Sequence, residues 1–180
     1  MQVNKAMESP LPQSATASPS SSRRSYIPFI AVMAGGVIDL LTKEWAQTVL
    51  QPYQPPIAIL PWLSVRLGYN EGVSFSLLSF DDPAAKTALL IATALLTLFF
   101  ATWMVRAKGS ERLALAAVLA GAIPNVIDRA RDGRVTDFLD LHIGDRSFFI
   151  FNLADVWISI GALLLPSTLL PSLRAKRVTP

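Results

Sequence analysis

The sequence predicts an all-α membrane protein with four transmembrane helices and a small extracytoplasmic antiparallel β-sheet. Of the 180 residues, 52% are hydrophobic and only 16% are charged, and the mean hydropathy is +0.42. About a quarter of the residues in a typical soluble domain are charged, so this composition favours a membrane protein. The apolar residues also fall into separate runs that are long enough to cross a bilayer.

The chain begins with a segment that we expect to be a disordered cytoplasmic tail. Residues 1–25 are rich in Ser, Pro and Ala and have no hydrophobic periodicity. Arg23 and Arg24 near its end faintly resemble a twin-arginine export signal, but a positive anchor for the first span explains them better.

The clearest predicted span covers residues 87–105, which contain no charged side chain. At about 1.5 Å per residue such a helix crosses about 28 Å. Three weaker spans are predicted over residues 26–48, 112–131 and 148–170, and each has polar residues toward one end. They define a four-span domain over residues 26–172, followed by a basic cytoplasmic tail over residues 173–180.

Basic residues define the orientation of the four spans. They cluster on one side of the predicted bundle, at Arg23, Arg24, Arg106, Lys108, Arg112, Arg174, Lys176 and Arg177. The positive-inside rule makes that side the cytoplasm, so both termini are predicted to be cytoplasmic. The opposite side receives two longer connections, at about residues 49–86 and 132–147. In the first, LSVRLGY and GVSFSLL alternate around Asn70, Glu71 and Gly72, which predicts a hairpin on the outer surface.

Several kinds of site are excluded or disfavoured by the residue inventory. The chain has no cysteine, so thiolate metal sites and cysteine nucleophiles are absent. Its single histidine, His142, disfavours a histidine metal site or a Ser-His-Asp triad, and a polar surface role is expected for it. The net charge of +3 resides in the topology signals, and we expect no nucleic-acid partner.

Polar side chains lie inside three of the predicted spans at about the same depth. Counted along each helix, they all fall in the outer third of the bilayer. Charged side chains are costly there, and a group of them at one level is typical of a functional site. The group comprises Asp39, Lys43, Asn125, Asp128, Arg129 and Asp155.

Each member of this group also has a purely structural interpretation. The i, i+4 spacing of Asp39 and Lys43 suits an ion pair along one helix face. Asp128 and Arg129 are compatible with a buried pairing unit, and Asn125 with a hydrogen bond between helices.

Asp155 has a structural alternative as well. Asn152 is placed to cap the fourth helix, which puts Asp155 in the first turn at the positive end of the helix dipole.

A second carboxylate favours catalysis. Asp137 follows the third span in a short connection that returns to the membrane, so it can approach Asp155. Two carboxyl groups within about 3 to 4 Å share a proton near neutral pH, and one then acts as base while the other acts as acid. Such a pair hydrolyses an amide without a metal, and we expect no cofactor.

The sequence resembles the bacterial lipoprotein signal peptidases, or signal peptidase II. The matching blocks are DLLTK (39–43), NEGVSF (70–75), NVIDR (125–129), GRVTDF (133–138) and FNLAD (151–155), in the family's order. The resemblance implies that Asp137 and Asp155 form the catalytic dyad. It further implies substrate-positioning roles for Asn125, Arg129 and Asn152, a covering outer loop at Asn70 and Gly72, and support of the fold by Asp39 and Lys43.

The resemblance also implies the substrate. Family members remove the signal peptide from prolipoproteins, cleaving just before a lipobox cysteine that carries a diacylglyceryl group. We therefore expect a monomer in the bacterial cytoplasmic membrane, in contact with lipids, with its active site near the outer face. One departure is Pro124, where the family usually has Gly. A proline inside a span removes one helix hydrogen bond and tends to kink the helix.

Two other function classes also account for part of the sequence pattern. A proton-coupled transporter also carries intramembrane acids, but its polar residues are spread along a path across the membrane, whereas here they gather at one level. A non-enzymatic scaffold explains the ion pairs but not the paired acids at the membrane rim.

Overall fold

The computed structural model of the chain describes residues 22–72 and 83–176. Helices and short antiparallel strands alternate along the chain. In order they are α1 (Ser22–Val49), β1 (Ile57–Leu60), β2 (Leu63–Asn70), α2 (Pro83–Arg106), α3 (Gly109–Asp132), β3 (Val135–Ile143), β4 (Arg146–Phe151) and α4 (Leu153–Lys176).

Three of the four helices confirm the predicted membrane-spanning segments. Within the described residues, α1 from Tyr26 to Val49, α2 and α3 are long and apolar enough to cross a bilayer. The apolar part of α4, Leu153–Thr168, is shorter. The predicted start of the fourth span at residue 148 is wrong, because residues 148–151 belong to β4 and the helix begins only after Asn152.

The predicted terminal tails overlap the helices. α1 already begins at Ser22, inside the predicted tail, and residues 1–21 lie outside the described part of the chain. At the other end, α4 continues to Lys176, so the last helix extends into the predicted basic tail.

The four strands form one antiparallel sheet in the order β1-β2-β3-β4. On one edge β2 pairs with β1 through residues 63–65, and on the other edge it pairs with β3. The predicted hairpin around residues 70–72 stays a prediction, because residues 73–78 of its second strand lie outside the described residues. The second outer connection forms the β3–β4 hairpin. The register places Gly68 opposite Asp137 and Tyr69 opposite Thr136.

Close packing through small residues joins α3 to α4. A Cβ atom at Gly121 would lie 2.0 Å from the backbone oxygen of Ala154, and one at Gly161 would lie 2.6 Å from that of Ala114. Small residues let helix backbones approach in this way, which is common between membrane helices. The N-terminal turn of α4 is therefore held against the C-terminal half of α3. Pro124 is fully buried, and α3 continues through it to Asp132.

A small apolar cluster attaches the sheet to the C-terminal end of α1. Ala46 of α1 and Leu50, the residue directly after α1, pack with Val65 of β2 and Phe138 of β3. Trp45 adds an edge-on contact with Phe138, with ring centroids 6.4 Å apart. This cluster fixes β3, and with it Asp137, beside the ends of the helices.

Candidate active site

Asp155 and Asn152 cap the N terminus of α4 reciprocally. The backbone N–H of Asp155 donates to Asn152 Oδ1 at 3.0 Å, and the backbone N–H of Asn152 donates to Asp155 Oδ2 at 3.2 Å. This is the capping-box arrangement, with Asn as the cap and Asp three residues later. The predicted cap is confirmed, and it fixes the position of the Asp155 carboxylate.

Asp137 lies on β3 and is almost fully buried. The side-chain amide of Asn152 donates to its Oδ1 at 2.6 Å, so Asn152 contacts both acids. Burial, which is the largest cause, and the negative charge of Asp155 together raise the pKa of Asp137 from 3.8 to about 6. Hydrogen bonds from Asn152 and Asn70 oppose the rise. The carboxyl is therefore close to half protonation just below neutral pH.

Asn125 links the Asp155 carboxylate to a buried cation. Its side-chain amide donates to Asp155 Oδ1 at 3.2 Å, and its Oδ1 accepts from Lys43 Nζ at 2.7 Å. Asn152 Nδ2 also lies 3.5 Å from Asn125 Oδ1. The two asparagines thus form a polar wall behind the pair of acids.

Lys43 is the buried centre of the network and pairs with two acids. Its Nζ lies 2.7 Å from Asp39 Oδ2 and 3.0 Å from Asp128 Oδ2. The predicted i, i+4 pair is confirmed, whereas the Asp128 carboxylate pairs with Lys43 and not with Arg129 as the structural alternative had it. Asp39 Oδ1 also accepts the backbone N–H of Ala154 at 2.7 Å, which ties α1 to the first turn of α4.

The segment after β2 lies over Arg129. The backbone N–H of Gly72 donates to Asn70 Oδ1 at 2.8 Å, and Gly72 adopts a φ of 79°. A Cβ atom there would lie 2.3 Å from Leu89 Cδ2 and 3.5 Å from Arg129 Nη2. A side chain at this position would therefore collide with α2 and crowd the guanidinium group.

The sequence reasoning missed two polar residues that hold β3 in place. Gln47 Nε2 donates to Thr136 Oγ1 at 2.5 Å, and the backbone N–H of Thr136 donates to Asp128 Oδ2 at 3.3 Å. The backbone oxygen of Thr136 accepts from Asn152 Nδ2 at 3.3 Å. Gln47 continues the stripe of Asp39 and Lys43 at i+4, and that spacing was the available signal.

An apolar cavity of about 150 Å³ opens between α2, α3 and α4 and is closed at one end by Asn125 and Arg129. The remainder of its lining is mostly aliphatic and aromatic: Thr93, Leu96, Thr97, Phe100, Val118, Ala122, Val126 and Ile158. Nε of Arg129 is buried and has no hydrogen-bond partner among the described residues. An apolar segment with a peptide bond at its end matches this combination of surfaces.

Residues suited to bind a metal do not cluster here. Among the described residues, no three His, Cys, Asp or Glu side chains are grouped so as to hold an ion. His142 lies near the β3–β4 turn, where its Nδ1 is 2.9 Å from the backbone oxygen of Gly144. The chemistry available at the site is proton transfer between two carboxyl groups flanked by amides and a guanidinium group.

The family model described as signal peptidase (SPase) II matches residues 30–170 of the chain. The chain belongs to the signal peptidase II family. A lipoprotein signal peptidase of Hydrogenovibrio crunogenus is 44% identical over 72% of this chain and 76% of its own length. That of Sphingopyxis alaskensis is 39% identical over 81% of this chain and 87% of its own length.

Solved structures agree with the family assignment. A structure described as a bacterial membrane enzyme has 25% sequence identity and a TM-score of 0.70, covering 85% of this chain and 93% of its own. A second, with the same description, has 26% identity and a TM-score of 0.70, covering 79% of this chain and 92% of its own.

Membership of the signal peptidase II family makes the chain a bacterial membrane protease that removes signal peptides from prolipoproteins. Its family is one of aspartic proteases, consistent with the predicted enzyme class. The alternative of a proton-coupled transporter has no support from these relatives.

Proposed function

We propose that Asp137 and Asp155 are the catalytic dyad and that they cleave the prolipoprotein just before its diacylglyceryl-modified cysteine. The observation that carries this proposal is the sharing of Asn152 by both acids, together with the electrostatic effect of Asp155 on Asp137. Two neighbouring carboxyl groups in different environments provide one acid and one base at the same pH.

The proton is assigned to Asp137 and the negative charge to Asp155. The raised pKa of Asp137 favours its protonated form, and the N terminus of α4 favours a negative charge on Asp155. Asp155 takes a proton from a water molecule as the water oxygen attacks the scissile carbonyl. Asp137 donates its proton to the developing oxyanion. The tetrahedral intermediate then collapses: the C–N bond breaks as Asp155 gives its proton to the leaving amine, and a hydroxyl of the intermediate returns a proton to Asp137 as the new carboxyl group forms.

The surrounding residues orient these groups. Asn125 and Asn152 hold the two carboxyl groups through their amide N–H groups, and this restricts their rotation. Arg129 is placed at the end of the apolar cavity to hold a substrate carbonyl, while Asn70 and Gly72 cover the site from outside. Asp39, Lys43 and Asp128 form the buried ion network that supports it.

We place the site at the outer face of the bacterial cytoplasmic membrane, with α4 as the fourth span, both termini in the cytoplasm and a monomer as the active form. The last residues of α1 and the first turn of α4 meet at the sheet, and Lys86 near the start of α2 pairs with Glu71 at 3.3 Å. Consecutive helices therefore run in opposite directions, which agrees with the basic clusters on the other side.

The test is hydrolysis of a synthetic lipidated lipobox peptide in detergent. Asp137→Asn and Asp155→Asn are expected to lower the rate by about a thousandfold or more, because each removes an essential proton acceptor or donor. The side-chain oxygen in Asp155→Asn still accepts from the Asn152 N–H, so the helix cap is retained.

Asp140→Asn is the matched control. Asp140 is a buried acid on the same strand, but it pairs with Arg66 at 2.9 Å and takes no part in the site. Its replacement is expected to leave the rate within about threefold of the wild type. A dyad variant that is folded and still cleaves at the wild-type rate would refute the proposed roles.

A further inference from the structure

A second polar cavity lies beside the site on the sheet. Its volume is about 450 Å³, within the range of small-ligand sites, and the end of β2 forms one wall. Its polar lining includes Tyr53, Arg66, Tyr69, Glu71 and Arg134. None of these residues has a role in the proposed cleavage reaction.

The charge of this cavity is positive. Arg66 pairs with Asp140 at 2.9 Å, and Glu71 pairs with Lys86 at 3.3 Å, so both of these charges are compensated. Arg134 belongs to no ion pair among the residues that the structure describes. A cation without a carboxylate partner at the mouth of a cavity favours an anionic ligand.

The guanidinium group of Arg134 is oriented by stacking. Its Cζ lies 3.6 Å from the ring centroid of Tyr69, which holds one face of the planar group. The N–H groups at the edge of a stacked guanidinium stay available for a forked contact with two oxygens. Phosphate oxygens match this fork.

The cavity lies at the level of the lipid headgroups. Arg134 follows the last residue of α3, Asp132, by two positions, and Tyr53 follows the last residue of α1, Val49, by four. A helix of the length of α3 spans about 36 Å, more than the hydrocarbon core of about 30 Å, so its end reaches the headgroup region.

Tyr53 is fully exposed and adopts a φ of 68°, which turns the chain sharply. Exposed tyrosines are frequent at this level of a membrane protein.

We propose that this cavity binds the phosphodiester headgroup of an anionic phospholipid, with Arg134 as its anion-binding residue. The position at the membrane rim favours a lipid over a soluble phosphate compound. The site adjoins the catalytic strand, because Tyr69 lies opposite Thr136 in the β2–β3 register. A headgroup bound by Arg134 contacts the residue directly before β3 and is therefore expected to stabilise that strand. The proposal does not depend on which residues cleave the substrate.

The test measures the midpoint temperature of unfolding in detergent while a short-chain phosphatidylglycerol is titrated. The wild-type midpoint is expected to rise with phosphatidylglycerol and not with phosphatidylcholine of the same chain length. Arg134→Gln is expected to need about tenfold more lipid for the same rise, the effect of losing one charge-assisted hydrogen bond. Arg146→Gln is the matched control, since it removes an equal charge from an exposed position of the same sheet.

Four outcomes overturn the proposal. Equal stabilisation by phosphatidylcholine refutes an anionic headgroup, and an equal loss in Arg146→Gln refutes a site at Arg134. A wild-type rise with glycerol phosphate at the same concentration assigns the cavity to a soluble phosphate compound. If Arg134→Gln is unstable before titration, native mass spectrometry of the folded fraction decides, because retention of phosphatidylglycerol equal to that of the wild type contradicts the proposal.

Discussion

Asp137→Asn is expected to abolish cleavage and to stabilise the folded protein at neutral and basic pH. Burial is the main cause of the raised pKa of this carboxyl, so folding at high pH forces a charge into an unfavourable environment. The amide of the variant carries no charge, and its oxygen still accepts the hydrogen bond from Asn152. The variant therefore removes the free-energy cost of burying a charge and keeps the hydrogen bond from Asn152.

The magnitude follows from the two pKa values of Asp137. The rise from 3.8 to about 6 corresponds to about 3 kcal/mol at about 1.4 kcal/mol for each pH unit. Below pH 3.8 the carboxyl is protonated in both the folded and the unfolded protein, and the cost disappears. The cost appears as pH rises from about 4 and is complete above about 6. The stability advantage of the variant is thus expected to grow from less than about 1 kcal/mol at pH 4 to about 3 kcal/mol at pH 8.

The assay is unfolding of both proteins in the same detergent at pH 4, 6 and 8, with the difference in unfolding free energy taken at each pH. The pH-dependent contributions of the other titratable groups are the same in both proteins to first order, so they cancel in this difference. Asp140→Asn provides a control of opposite sign, because it breaks an ion pair with Arg66 and is expected to be destabilising at pH 8. A difference between Asp137→Asn and the wild type that is constant with pH, or that favours the wild type at pH 8, refutes the reasoning.

Three further predictions concern packing, the ion network and the positioning of β3. Gly121→Ala is expected to destabilise the protein by about 2 kcal/mol or more, because a backbone oxygen occupies the position of the new Cβ atom. Gly36→Ala is the control and is expected to be neutral or stabilising, because the new Cβ atom would lie 3.7 Å from its nearest neighbour. Thermal unfolding of the two variants distinguishes these outcomes. Lys43→Met leaves two buried acids without their cation and is expected to lower the free energy of unfolding by about 3 to 5 kcal/mol. Lys86→Met removes the cation of a partly exposed pair and is expected to lower it by less than about 1 kcal/mol. Equal decreases for the two variants in denaturant unfolding would contradict this. Gln47→Met is expected to lower kcat about tenfold and to change KM by less than about twofold, because β3, which carries Asp137, loses the hydrogen bond from Gln47 to Thr136. Steady-state kinetics with the lipidated peptide measures both constants. An effect confined to KM would count against the prediction.

The sequence by itself determined the helices and the local pairs. Long apolar runs specify a membrane helix because no polar alternative satisfies the backbone inside a bilayer. The Asp39–Lys43 pair and the Asn152–Asp155 cap depend on residues three or four apart on one helix, and such contacts follow from helix geometry alone. The candidate dyad of Asp137 and Asp155 was predicted in another way, from the short connection that carries Asp137 and from the family motifs, and it stays a prediction.

The tertiary structure alone decided which distant residues meet. Strand pairing depends on partners far away in sequence, and the sequence alone did not predict that β2 pairs with β3, more than sixty residues away. The bond from Gln47 to Thr136 and the link from Lys43 through Asn125 to Asp155 arise from helix packing that the sequence does not display. The pKa of Asp137 was likewise beyond the sequence, because it depends on how much water the folded chain removes from that carboxyl.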